Sequence, residues 1–180
     1  MSEQEFVNKY ELTATSRIFK GVKVYRIRAL RTFSDIYEGV LGGWVEQEAN
    51  LSQYGDCWVD YEAVVMGNAR VRSDARMLDY AVARDNAVLE GNCTVADRVV
   101  IHTDAVISGE TVVSGVVIVG GSVKLRDAGH IQTQDDLTAF IQKRKLLKEK
   151  SNVKIFEKPH GTRTTERDTR GRKRFKTGRM

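Results

Sequence analysis

The chain has 180 residues, with 29 Lys+Arg, 24 Asp+Glu and 2 cysteines, a length that bounds one domain with room for a tail. No apolar run approaches the ~18 residues of a membrane helix, and the N-terminus MSEQEFVNKY lacks the apolar stretch of a signal peptide. No membrane span and no signal peptide are therefore expected, and a cytoplasmic location is.

In chain order, residues 1–42 read as an N-terminal cap. Tyr10–Phe19 and Val22–Phe33 are rich in Tyr, Val, Ile and Phe, with Gly21 between them, and predict a β-hairpin. Its expected job is to cover the exposed strand edge of the first coil. The next stretch, Gly42-Gly43-Trp44-Val45 through Val59, predicts an irregular first coil, because its fifth positions are Gln47 and Gln53.

From Gly55 to Arg126 the chain divides into twelve hexads without insertion. The fifth residue of each is aliphatic or Met: Val59, Val65, Val71, Met77, Ala83, Leu89, Val95, Ile101, Ile107, Val113, Val119, Leu125. The third is small or β-branched, as in Ala63, Ala69, Ala75 and Cys93. Third and fifth residues point to the same side of a short strand, and pairs such as Gly67-Asn68, Asp85-Asn86 and Thr103-Asp104 suit a tight corner at each hexad start. Such a period is the signature of a solenoid. With three strands per coil, residues eighteen apart should stack in three inner columns, each coil burying its apolar side only against its neighbours.

This pattern resembles the hexapeptide-repeat, left-handed parallel β-helix, in which an aliphatic residue is followed four positions later by a small one (Val65…Ala69, Leu89…Cys93). The resemblance implies an all-β, single-stranded β-helix of about four or five coils, here spanning 43–129, and supplies the left hand. The string GGWV-x5-LSQ-x-GDCWV, after a segment ending Arg31-x-Phe33-Ser34-Asp35, further resembles the N-terminal signature of YdcK-like enterobacterial and phage β-helix proteins, a poorly characterised group. That group brings no catalytic or binding residues to transfer.

The two thiols, Cys57 and Cys93, fall on one inner corner with Ala75 between them. They should lie roughly 9–10 Å apart by strand spacing, beyond the about 7 Å that a disulfide needs. Two buried free thiols and no metal site are expected. On the outer side, Val64, Val82, Val100 and Ile118 form an apolar ladder on the second face. An exposed strip of that kind marks an interface. The cover is either another subunit, with a homotrimer favoured by the resemblance, or the chain's own C-terminal segment.

The pattern ends after Leu125, and residues 130–158 read as a helix with a short strand. Thr133 is the expected N-cap, with Asp136 at the third helical position. Leu137, Phe140, Ile141 and Arg144 recur at helical spacing, and Val153–Phe156 is read as the strand. The tail, 159–180, is nearly devoid of apolar residues and is expected to be disordered alone. Charge concentrates at this end: residues 143–180 carry 15 Lys+Arg and 4 Asp+Glu, net +11, whereas residues 1–142 carry 14 and 20, net −6. Arg163, Arg167, Arg170, Arg172, Lys173, Arg174, Lys176 and Arg179 are candidates for neutralising phosphates, and Phe175 for stacking on a base. The candidate partner is nucleic acid or an acidic host or phage protein.

Enzymatic readings rest on the resemblance. Many proteins of this fold are acyltransferases, with a His at a subunit interface and often a loop extruded from a coil. Here the hexads have no extrusion. His102 is the one candidate on the apolar face, and its eighteen-residue neighbours, Arg84 and Gly120, offer no acid to orient it. The zinc-dependent variant of the fold needs three converging His, but His130 and His160 lie beyond the repeats. The reading is a non-catalytic scaffold without cofactor, docking through its basic arm. The alternative is an acyltransferase using His102.

Overall fold

The computed structural model describes residues 7–156, with side chains through 151. After β1 (Tyr10–Phe19), β2 (Val22–Ala29) and β3 (Leu41–Val45), one short strand recurs at each hexad. These are β4 (Trp58–Val59), β5 (Val64–Val65), β6 (Arg70–Val71), β7 (Arg76–Met77), β8 (Val82–Ala83), β9 (Val88–Leu89), β10 (Thr94–Val95), β11 (Val100–Ile101), β12 (Val106–Ser108), β13 (Val112–Val113), β14 (Ile118–Val119), β15 (Lys124–Arg126) and β16 (His130–Ile131). A helix, α1 (Gln134–Phe156), comes last.

Every third strand pairs in parallel, giving three faces. Face one is β4-β7-β10-β13-β16, face three is β6-β9-β12-β15, and face two is β3-β5-β8-β11-β14 with β2 and β1 added beyond β3. The expected inner columns are present: Val59↔Met77↔Val95↔Val113, Val65↔Ala83↔Ile101↔Val119 and Val71↔Leu89↔Ile107↔Leu125. All twelve of these side chains are buried. Strands of two or three residues persist because each amide bonds to the coil above or below, as in Arg72 N to Leu89 O at 3.0 Å and Val106 N to Val123 O at 2.9 Å.

The first residue of every hexad from Gly55 to Gly121 has positive φ, six of them Gly and six not: Tyr61, Ser73, Asp79, Asp85, Asp97 and Thr103. This left-handed conformation turns the corner between faces and disfavours most side chains. Asp is common there for a second reason. Its carboxylate accepts the corner amide one coil on: Asp97 N to Asp79 Oδ2 at 3.1 Å, Thr103 N to Asp85 Oδ2 at 3.0 Å, Gly115 N to Asp97 Oδ2 at 2.7 Å. At Gly91 an added Cβ would lie 2.9 Å from Gly109 N, so both the backbone angle and the close coil contact require glycine.

Two sequence expectations are corrected, and the irregular first coil is given its geometry. The repeat does not stop at Leu125. Asp127 takes the corner conformation, His130-Ile131 pairs with β13, and Ile131 is buried, so residues 127–132 form a thirteenth hexad. Gly129 at its third position had hidden it. The first coil is not merely irregular: Trp44 pairs with Val64 and Leu51 with Val71, each twenty residues on rather than eighteen. The two extra residues lie between Leu51 and Trp58, and a 3-10 turn, Glu48–Asn50, makes the corner. There the buried Asn50 accepts from Gln47 N (2.9 Å) and donates to Gly67 O (3.0 Å) and Ala69 O (2.9 Å), replacing strand hydrogen bonds. Finally, α1 runs through Val153–Phe156, where the short strand was expected.

The hairpin is the expected cap, but it does more than close the end. Tyr10, Ile27, Ala29, Phe33 and Ile36 join Trp58 and Leu51 in the main core. Lys9 is fully buried there and donates through Nζ to Gly55 O (3.0 Å), Cys57 O (2.9 Å) and Cys57 Sγ (3.2 Å). Burial pushes the Lys9 ammonium below its usual pKa and the Cys57 thiol above its own. At the other end, Thr133 and Asp136 form the predicted cap reciprocally: Asp136 N to Thr133 Oγ1 at 3.1 Å and Thr133 N to Asp136 Oδ2 at 2.8 Å. Leu137 is buried against the core and Phe140 packs beside it.

Candidate functional site

Face two carries the apolar ladder. Val64 and Val82 are already buried, and the cover is one the sequence did not suggest. The pairing of β2 with β3 ends at Tyr25↔Val45, and beyond it Val24, with Phe19 and Val22, packs on Trp44, Val64 and Val82. Irregularities between Leu12 and Ser16 and between Arg26 and Arg28 mark where the hairpin departs from a flat ladder. Glu62 holds this fold-over. It receives Arg17 Nη1 (2.5 Å), Arg26 Nη1 (3.0 Å) and Trp44 Nε1 (3.2 Å). The guanidinium carbons of Arg17 and Arg26 lie 4.2 and 5.0 Å from the Trp44 ring centroid. Burial pushes the Glu62 carboxyl up, but the hydrogen bonds from Arg26 and Arg17 outweigh it and hold its pKa below the usual range. The rest of the ladder is more open: Val100 is half-buried and Ile118 is 54% exposed.

His102 lies outward on this face, as expected, with its ring over Gly120. Nδ1 is 2.7 Å from Thr103 Oγ1 and 4.0 Å from Asp85 Oδ2. Sequence reasoning missed Asp85 because it looked eighteen residues from His102 itself. The acid stands eighteen residues before the next position, at the corner. Asp85 is committed elsewhere, accepting from Thr103 N and from Arg84 Nη1 (2.9 Å), and its pKa is lowered chiefly by the bond from Thr103 N. No loop is extruded between β4 and β16 to close a cleft over the imidazole.

Cys57 and Cys93 are buried and unpaired. Burial raises both thiol pKa values, that of Cys93 to about 12. Among the described residues, no group of three His, Cys, Asp or Glu is placed to hold a metal ion, and no helix is long and apolar enough to cross a membrane. The tail candidates Arg163, Arg167, Arg170, Arg172, Lys173, Arg174, Phe175, Lys176 and Arg179 lie outside the described residues. The basic run leading to them does not: Lys143, Arg144, Lys145, Lys148 and Lys150 are exposed on α1, with Glu149 the one acid among residues 143–151.

No protein-family model matches the chain. It is similar to an Escherichia coli (strain K12) protein named "Uncharacterized acetyltransferase YdcK", with 32% identity over 80 residues covering 39% of this chain and 24% of that protein. The chain thus spans about a quarter of that relative's length. The likeness and the sheet topology together support a protein of the hexapeptide-repeat β-helix type.

Proposed function

We propose that this protein is a non-catalytic β-helix scaffold of phage or prophage type whose basic C-terminal arm docks nucleic acid. The observation that carries the reading is the run of exposed cations on α1 from Lys143 onward, continuous in sequence with the basic tail. Clustered Lys and Arg in such excess over acids neutralise phosphates and release counterions. The uninterrupted coils supply a rigid body for such an arm rather than a reaction cleft. Val100 and Ile118, the open part of the ladder, are the surface for self-association, as a trimer. The test is a paired capture from host lysate with the full chain and with residues 1–158, each with and without nuclease. Loss of partners on both tail deletion and nuclease treatment is expected. Retention after both would refute the arm, and loss on tail deletion alone would make the partner an acidic protein.

A second reading, acyl transfer through His102, is favoured by the relative's name and by Asp85 near Nδ1. General-base work needs a free, oriented imidazole nitrogen. Here Nδ1 faces Thr103 Oγ1, and Asp85 is held by the corner amide. Under this reading His102→Ala abolishes acetyl-coenzyme A turnover; under the first, it leaves nucleic-acid binding intact.

A further inference from the structure

The three outer faces differ in chemistry. Face one is mostly neutral, showing Thr94, Ala96, Val112 and Ser114, and face two is apolar. Face three collects cations at both ends. Arg70 stands on β6 and Arg72 directly follows it. Lys124 and Arg126 stand on β15, joined by Arg144 of α1, whose Nη2 donates to Arg126 O at 2.9 Å. Between them lies a depression of about 370 Å3 floored by Val88, Val106 and Ser108. Its one acid, Glu90, is engaged by Arg72 Nε and Nη2 at 2.9 and 2.5 Å. Arg126 Nε is 3.6 Å from Asp127, whereas Lys124 makes no ion pair among the described residues.

We infer that face three is a track for a single nucleic-acid strand running along the prism axis; this rests on the nucleic-acid reading of the arm. β6 and β15 are three coils apart, about 14 Å at strand spacing. The two cationic ends therefore meet phosphates separated by a short stretch of strand, while the Val88–Val106 saddle takes the sugars and bases between them. A groove that tracks a backbone with cations and offers apolar contact to bases is the usual solution for single strands. Arg144 belongs to this face and, in sequence, opens the basic run that follows on α1.

The experiment measures fluorescence anisotropy of a labelled 20-nucleotide oligothymidylate against the full chain and the full chain carrying Lys124→Ala and Arg126→Ala. Both side chains point outward and Leu125 between them stays in the core, so the far-UV spectrum and melting curve should match the parent. With two phosphates lost, the slope of log K against log salt should flatten by about 1.4, with roughly 25-fold weaker binding at 0.1 M salt. Val106→Asp, placing a carboxylate in the saddle without removing a cation, should also weaken binding. If both variants bind like the parent while residues 1–158 lose binding, the track is wrong and the arm reading stands. If the full chain does not bind the oligonucleotide at all, the arm reading fails and takes the track with it. Equal affinity for polyglutamate would overturn the nucleic-acid assignment.

Discussion

Replacing Glu62 with Ala should release the hairpin from face two while leaving the coils intact. The substitution removes the shared acceptor of Arg17, Arg26 and Trp44 Nε1. Hydrogen bonds to a charged acceptor contribute roughly 1.5–3 kcal/mol each when buried. The Glu62, Arg26 and Arg17 side chains retain 30%, 20% and 35% exposure, so solvent screening cuts the ionic part. A net loss of about 2–3 kcal/mol is expected, with Arg17 and Arg26 still stacked on Trp44. In a solenoid each coil answers mainly to its neighbours, so the loss should appear locally. Two kcal/mol is about a 30-fold rise in the open population. Native-state hydrogen exchange should show roughly that loss of protection at the amides around Val22–Val24 of β2, whereas Ala29 N, which bonds Val40 O at 2.9 Å in the main core, should hold. The amides of Arg72 and Val106 should hold. Opening would uncover Val64 and Val82, so hydrophobic-dye binding should rise. Uniform loss across all coils, or unchanged protection in β2, would refute the assignment of Glu62 as the latch. The pH dependence has a definite sign. The folded carboxyl titrates below its ordinary value of 4.5, so its contribution is present above that pH and is lost as the pH falls through the lowered folded value. Glu62→Gln should remove this acid-dependent part of hairpin opening.

Other predictions concern the core and corners. Leu89 is fully buried between Val71 and Ile107; Leu89→Ala should cost about 2–5 kcal/mol by chemical denaturation, and a loss under 1 kcal/mol would contradict the stacked column. Gly91→Ala combines positive φ with the approach of Gly109 N; a cost of at least about 1–2 kcal/mol in the same assay is expected, and a neutral result would argue against this corner geometry. At pH 8 both cysteines should resist a disulfide exchange reagent in the native protein and react fully in guanidinium, because burial protects them and raises their pKa values. Rapid labelling of either thiol before unfolding would contradict its placement.

The coils were legible because their period is rigid: one buried aliphatic at the fifth position and one small residue at the third leave little room for another register. Legibility failed where a residue served a corner or a lid instead of a column. Asn50 replaces a strand with three side-chain hydrogen bonds, and nothing in its type announces that. Lys9 looks like a solvated N-terminal charge, yet it fills the space over Cys57. Trp44 and Leu51 are core or face residues displaced by two positions, which broke the hexad count. The residues of the ladder on face two are visible in the sequence, but the hairpin that covers Val64 and Val82 is not, since the fold-over depends on Glu62 meeting two arginines from distant strands. Asp85 escaped notice beside His102 because corner residues reach across coils at an offset.

The most direct test of the central claim is the salt dependence of oligothymidylate binding by the full chain and by residues 1–158, which keep every described element. The tail beyond 158 holds eight Lys and Arg, so if it neutralises phosphates the full chain should show a slope steeper by several units, up to about 5.6 at 0.7 per phosphate. Equal slopes and affinities for the two forms would contradict the basic arm and leave recognition to the faces of the prism.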